Sequence, residues 1–146
     1  NDMQARSNLM WDSAMAENGI LKCGRLTDFQ AHQMEHQLGA YTDCNHGQGL
    51  AVIHPVYYRH ILKDAPDKFT RFAKMVFDVD TAEAGIEALA DFIKECGLPV
   101  RMGELKSRVE ITPEVLRKVA DTCNIIKCNP RELDRDEIYE ILMECM

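Results

Sequence analysis

Between Thr27 and Gly49 the chain reads TDFQAHQMEHQLGAYTDCNHGQG, and this stretch holds three of its five histidines. His32 and His36 lie four apart, so on a helix both imidazoles project from one face, a turn apart. His46 follows ten residues after His36, past the expected end of that helix, with Gly47 and Gly49 beside it. Two imidazoles from one helical face and a third from the next loop form a donor set suited to a divalent metal. Glu35 is three residues from His32 and adjacent to His36, placed either to orient a ligand or to stand as a solvated carboxylate. Cys44 offers a soft donor two residues before His46, but reads better as a small packing residue of the loop. Asp28 suits a helix cap rather than a ligand. His54 and His60 belong to the following helix and read as core-edge or surface residues, His54 being the one able to face a cleft.

The elements that must position these groups are helices throughout. Asp2 to Asn18 shows a broad apolar face of Ala5, Leu9, Met10 and Ala14 with Trp11 beside it, stopped by Asn18-Gly19. Thr27 or Asp28 caps the histidine helix, which carries Ala31, Met34 and Leu38 and ends near Gly39. Asn45 caps a third helix from His46 through Leu50, Ile53 and Tyr57 towards Ile61, with Pro55 expected to kink or break it. Pro66 opens a helix of Phe69, Phe72, Ala73 and Val76. Asp80-x-x-Glu83 resembles a capping box ahead of Ile86, Leu89, Ala90 and Ile93, stopped by Gly97 and Pro99. Residues 98–111 show no periodicity and read as loop. Thr112-Pro113 begins a helix of Leu116, Val119, Ala120 and Cys123. Asp134-x-x-Glu137 begins the last, with Ile138, Ile141, Leu142 and Cys145 inward. No sustained period-2 alternation supports a sheet. The fold class is all-α, an irregular bundle of about seven helices in a single domain, 1–146.

Composition narrows the function. The 146 residues carry 24 acidic and 17 basic side chains, a net charge of −7 with no basic run, which argues against nucleic acid as a partner. No window is apolar enough for a transmembrane helix, and the N-terminus lacks both a signal-peptide pattern and an initiator Met. The six cysteines, at 23, 44, 96, 123, 128 and 145, show no regular spacing and read as reduced, partly buried thiols of a cytoplasmic protein.

Two families are suggested by the residues. His32-Gln-Met-Glu35-His36 matches H-x-x-E-H, the inverted zinc-peptidase motif, in which Glu35 would activate water. A longer set of motifs resembles the iron-dependent (group III) alcohol dehydrogenases of the butanol-dehydrogenase-like branch. It comprises Ala5-Arg-Ser-Asn-Leu-Met-Trp11 with Asn18-Gly19, the His32-x-x-x-His36 helix with Leu38, and His46-Gly-x-Gly-Leu-Ala-Val52 with Pro55. Gly97-Leu-Pro99 and Glu104-Leu105 complete it. Because these pieces span most of the chain in order, the second resemblance outweighs the first.

That resemblance implies a C-terminal helical domain of the dehydroquinate synthase-like, iron alcohol dehydrogenase architecture. An N-terminal nucleotide-binding domain precedes such a domain in the family and is absent from this chain. Of the family's Asp and three His ligands, two fall on His32 and His46, while the Asp and the first His lie upstream of Asn1. His36 matches a non-ligand histidine near the nicotinamide, a candidate for proton relay and cofactor contact. The implied cofactors are a divalent metal, Fe2+ before Zn2+, and NAD(P), with a small alcohol or aldehyde as substrate. A homodimer is common in such families. The fragment alone is expected to be inactive. Trp11, Phe29, Tyr41 and Tyr57 read as core, with the lining of a pocket for an apolar alcohol chain as their alternative role. A stand-alone, non-catalytic helical module is the remaining alternative for the whole chain.

Overall fold

The computed structural model describes residues 2–127 and 130–146. Among them are seven α-helices and no strand, as the periodicity predicts: α1 Met3–Glu17, α2 Gln30–Thr42, α3 His46–Ile61, α4 Pro66–Phe72, α5 Ala82–Glu95, α6 Pro113–Thr122 and α7 Arg135–Glu144. Residues 98–111 are loop apart from one 3-10 turn, Met102–Glu104.

Helix α3 is the hub, packed against α2, α5 and α7, while α6 joins α2 to α7. Its inward residues Val52, Ile53 and Tyr57 meet Met34 and Leu38 of α2, Leu116 and Val119 of α6 and Ile138, Ile141 and Leu142 of α7 in one core. Each fully buried Leu, Ile or Met adds about 1.5–3 kcal/mol over leaving it in water. The buried Gln30 ties α2 to the chain after α6: its amide donates to Asn124 O at 3.2 Å and its Oε1 accepts from Ile126 N–H at 2.8 Å. Arg117 clamps α6 to α7 through Asp136, and donates to Asp121 one turn along its own helix.

Several boundaries differ from expectation, each for a local reason. The N-cap of α2 is Phe29, and Asp28 serves from one place earlier, accepting the Gln30 N–H. The helix runs past Gly39 to Thr42 and closes with Asp43 at φ 57°, a left-handed position that Asp tolerates. Pro55 does not break α3. The cap of α5 is Thr81, whose hydroxyl accepts from Ala84 N–H, so the expected box is displaced by one residue from Asp80. Helix α4 passes into a π turn, Ala73–Phe77, that leaves Val76 outside.

The largest departure is α1. It forms where the sequence places it, with the Asp2 side chain accepting from Ala5 N–H, yet it buries no residue. Leu9, Met10 and Trp11 are 69%, 75% and 67% exposed, so Trp11 is not a core residue. These three stand at successive positions and so wrap around the helix rather than forming one face, and among the described residues nothing covers them. Cys123 and Cys145 are buried free thiols as expected, Cys23 and Cys96 are exposed, and Cys128 lies outside the described residues. Among the described residues no helix is long and apolar enough to cross a membrane.

Candidate metal centre

The site stands where α2 meets the start of α3. Helical spacing puts His32 and His36 on the outward face of α2, while Glu35 points inward. Asn45 then starts α3, its Oδ1 accepting the Gln48 N–H at 3.1 Å, and this cap fixes His46 as the first helical residue. His46 therefore faces back towards α2. The His32 and His46 ring centres are 5.5 Å apart, those of His36 and His46 are 5.2 Å apart and stacked, and those of His32 and His36 are 6.0 Å apart. Two imidazoles sharing one ion, each nitrogen about 2.1 Å from it, have ring centres roughly 5 Å apart. The cluster is of that size.

His54 joins it. It lies eight residues after His46, two turns along the same face of α3, and its ring centre is 6.0 Å from that of His32. Its Nδ1 donates to Leu50 O at 2.9 Å, so the other ring nitrogen, Nε2, carries the lone pair. The sequence offers His54 as the histidine of this helix able to face a cleft, and the 46–50–54 spacing is what sets it beside His32. His60, by contrast, pairs with Glu144 on α7.

Glu35 is the second departure. It is 1% exposed, and its Oε2 accepts from Nδ1 of His46 rather than reaching His32. Glu35, His36 and His46 each present a ligand-type atom within 4.8 Å of the others. The direct Glu35–His46 contact, however, commits this carboxylate to its neighbour. A carboxylate so enclosed and already engaged is also badly placed to activate water, which counts against the peptidase alternative.

The electrostatics favour neutral imidazoles. Burial is the first cause that holds His32 below its ordinary value, with His54 and His46 adding to it. Burial likewise lowers His54, against the opposing pull of the Leu50 carbonyl and Asp28. Neutral rings keep the lone pair that a metal needs. Phe29 lies against His32 at 4.6 Å and beneath the Lys22 ammonium at 4.2 Å. The donor chemistry thus fits a borderline divalent ion: clustered imidazoles, one of them supported by a buried carboxylate.

An open pocket of about 900 Å³ begins beside His54 and Ala31 and continues between Tyr57, Tyr58, Phe69 and Phe72. Asp28 is not free to act as a ligand there, because its Oδ2 accepts from the Tyr57 hydroxyl at 2.5 Å. Tyr57 is both core and pocket wall, while Tyr41 packs against the core edge. Cys44 is half-buried in the connection between α2 and α3, and burial pushes its thiol up, away from the thiolate a metal would need.

Comparison with known proteins agrees with the resemblance read from the motifs. NADH-dependent butanol dehydrogenase B of Clostridium acetobutylicum is 38% identical over 114 residues, covering 72% of this chain and 29% of that protein. The NADPH-dependent aldehyde reductase YqhD of Escherichia coli is 25% identical over 122 residues, or 80% of this chain and 32% of the relative. The crystal structure of NADH-dependent butanol dehydrogenase A from Thermotoga maritima superposes with a TM-score of 0.86 at 30% identity, covering 99% of this chain and 39% of that one. The chain therefore spans between about a quarter and two fifths of the length of these relatives. The model of the Fe-containing alcohol dehydrogenase family, C-terminal, matches residues 1–146 throughout, and the chain belongs to that family as its C-terminal, all-helical part.

Proposed function

We propose that residues 1–146 form the metal-holding helical domain of an NAD(P)-dependent alcohol dehydrogenase, working beside a nucleotide-binding domain of the same polypeptide. The observation that carries this reading is the convergence of His32, His36 and His46 at the α2–α3 junction. His32 and His46 would hold a divalent metal, Fe2+ rather than Zn2+ in keeping with the family's description. Such a metal supplies Lewis acidity at the carbonyl or alkoxide oxygen. His32, kept neutral by burial and its neighbours, presents its lone pair, and His46 does so from the first turn of α3. His36 is exposed at the rim of the cluster, where its imidazole can pass a proton between the reacting oxygen and solvent. It is also the residue we place against the nicotinamide. Hydride chemistry belongs to that cofactor, whose choice between NADH and NADPH differs among the relatives.

The substrate on this reading is a small aldehyde or alcohol, and the pocket that starts at His54 offers room for its chain. A cytoplasmic homodimer without nucleic-acid or membrane partners completes the proposal. The 146-residue chain by itself should reduce no substrate.

The test uses the longer polypeptide that contains this chain, with butanal, NADH and NADPH. His46→Ala should lose bound metal and aldehyde reduction together. His36→Ala should lower turnover by at least about 100-fold while metal content stays near the parent's. Full activity in metal-free His46→Ala would overturn the Lewis-acid assignment. Metal analysis of the parent, purified without oxygen, reads iron against zinc.

A further inference from the structure

Helix α2 hides a carboxylate from water. Glu35 is 1% exposed, and a buried charge is costly unless it is paired and hydrogen-bonded. Its polar partner is Nδ1 of His46, eleven residues away across the α2–α3 junction. The carboxylate occupies a slot made by two glycines. A Cβ on Gly49 would lie 2.8 Å from Glu35 Cγ and 2.9 Å from its Oε1, closer than real Cβ contacts come. A Cβ on Gly39 would lie 3.5 Å from Oε1, which is ordinary contact, so Gly49 is the position that must stay empty. The slot also lies at the first turn of α3, the end of a helix dipole that favours negative charge. Glu35 needs a close, empty approach to α3, and the glycine in the first turn of that helix allows one.

An ionised carboxylate only accepts hydrogen bonds, so the proton between these groups belongs to His46 Nδ1. A neutral imidazole protonated at Nδ1 has its lone pair at Nε2. We propose that Glu35 is the positioning residue of the centre: it fixes His46 as the Nδ1–H tautomer, with Nε2 left as the metal-binding atom, and Gly49 is glycine to admit it. This inference rests on the metal-centre reading above and adds to it a residue that orients rather than binds. Carboxylates that accept from the far nitrogen of a ligand histidine fix both its tautomer and its ring orientation.

The experiment separates the two ideas. In metal-free, 15N-labelled chain in mildly alkaline buffer, long-range proton–nitrogen NMR reads which nitrogen of His46 carries the hydrogen. The parent should show Nδ1–H. Glu35→Gln should keep it, because the amide oxygen still accepts, whereas Glu35→Met should shift His46 towards Nε2–H. Gly49→Ala retains the carboxylate but fills its slot, and should reproduce the shift seen in Glu35→Met. Zn2+ titration by calorimetry should show affinity roughly 10–100-fold lower in Glu35→Met and Gly49→Ala, and within a few-fold of the parent in Glu35→Gln. Circular dichroism confirms that the variants are folded; a merely structural role for Glu35 would leave the tautomer unchanged in any variant that folds. An Nε2–H tautomer in the parent overturns the inference without any variant, as does equal zinc affinity in folded Glu35→Met. A tautomer shift in chains that bind no zinc would support the positioning of His46 while counting against the metal centre itself.

Discussion

At the scale of single residues, His54 links the site to stability. Burial holds its folded-state pKa below the ordinary 6.5, chiefly by penalising the charged ring. A histidine whose pKa is depressed on folding favours the native state while neutral. Its contribution is therefore complete above about pH 6.5 and is lost as pH falls below that value, where the unfolded chain takes up the proton first. His32 acts in the same direction. Urea unfolding followed from neutral pH downwards should show stability falling below about pH 6.5. The slope is at most about 1.4 kcal/mol per pH unit for each proton involved. His54→Gln should flatten that fall; an unchanged profile would remove His54 from the cause. What was legible at this scale was the period-four pair His32 and His36, and in principle the 46–50–54 face as well. The partner of Glu35 was not legible, because adjacency on α2 points to His32 and His36. Only the approach of α3 over Gly49 brings His46 to it.

At the scale of elements, caps were the most readable feature. Asn45, Thr112 and Asp134 each accept the N–H bonds that their side chains suggested. The errors were slips of a residue or a turn, where two capping side chains stand together, as at Asp80 and Thr81. They also arose where a non-glycine residue accepts a left-handed end, as at Asp43. Contacts between elements were harder to read, and Gly85 shows why. It stands inside α5, where glycine costs about 1 kcal/mol relative to alanine, so propensity alone recommends replacing it. A Cβ there would lie 2.4 Å from Ala73 Cβ and 2.7 Å from Ala73 Cα, since α5 rests almost backbone to backbone on the π turn after α4. Gly85→Ala should therefore destabilise the chain by about 1–3 kcal/mol despite its better propensity. Gly103→Ala, with nothing within 4 Å of the new methyl, provides the near-neutral control. Denaturant midpoints compare the two; equal midpoints would mean that α5 and the π turn are not so closely packed.

At the scale of the whole molecule, the chain divides into a packed unit of α2 to α7 and an α1 that stands apart. The sequence suggests an apolar face on α1, but its large apolar residues Leu9, Met10 and Trp11 are spread around the helix, and their presence reads the same whether the covering surface comes from the chain or from elsewhere. The fold class could therefore be read from the sequence while the place of α1 could not. Its main tertiary neighbour is the 3-10 turn Ile20–Lys22 that follows it. A helix of 15 residues supported so thinly is near the length at which isolated helices are marginal in water. It should open with a much smaller free energy than the core helices. The chain's one tryptophan, Trp11, lies on α1 and reports on it directly. In dilute 146-residue chain its emission should be that of a solvated indole, readily quenched by acrylamide. The amide protons of α1 should exchange well before those of Met34, Leu38 and Ile141. On heating, the helical signal should begin to fall before near-ultraviolet bands from the buried Tyr57 and the half-buried tyrosines around the core change, so that the two transitions do not coincide. A blue-shifted, protected Trp11 that persists on dilution would show that α1 packs onto the core of its own chain. If protection disappeared on dilution, the covering surface would be a second copy.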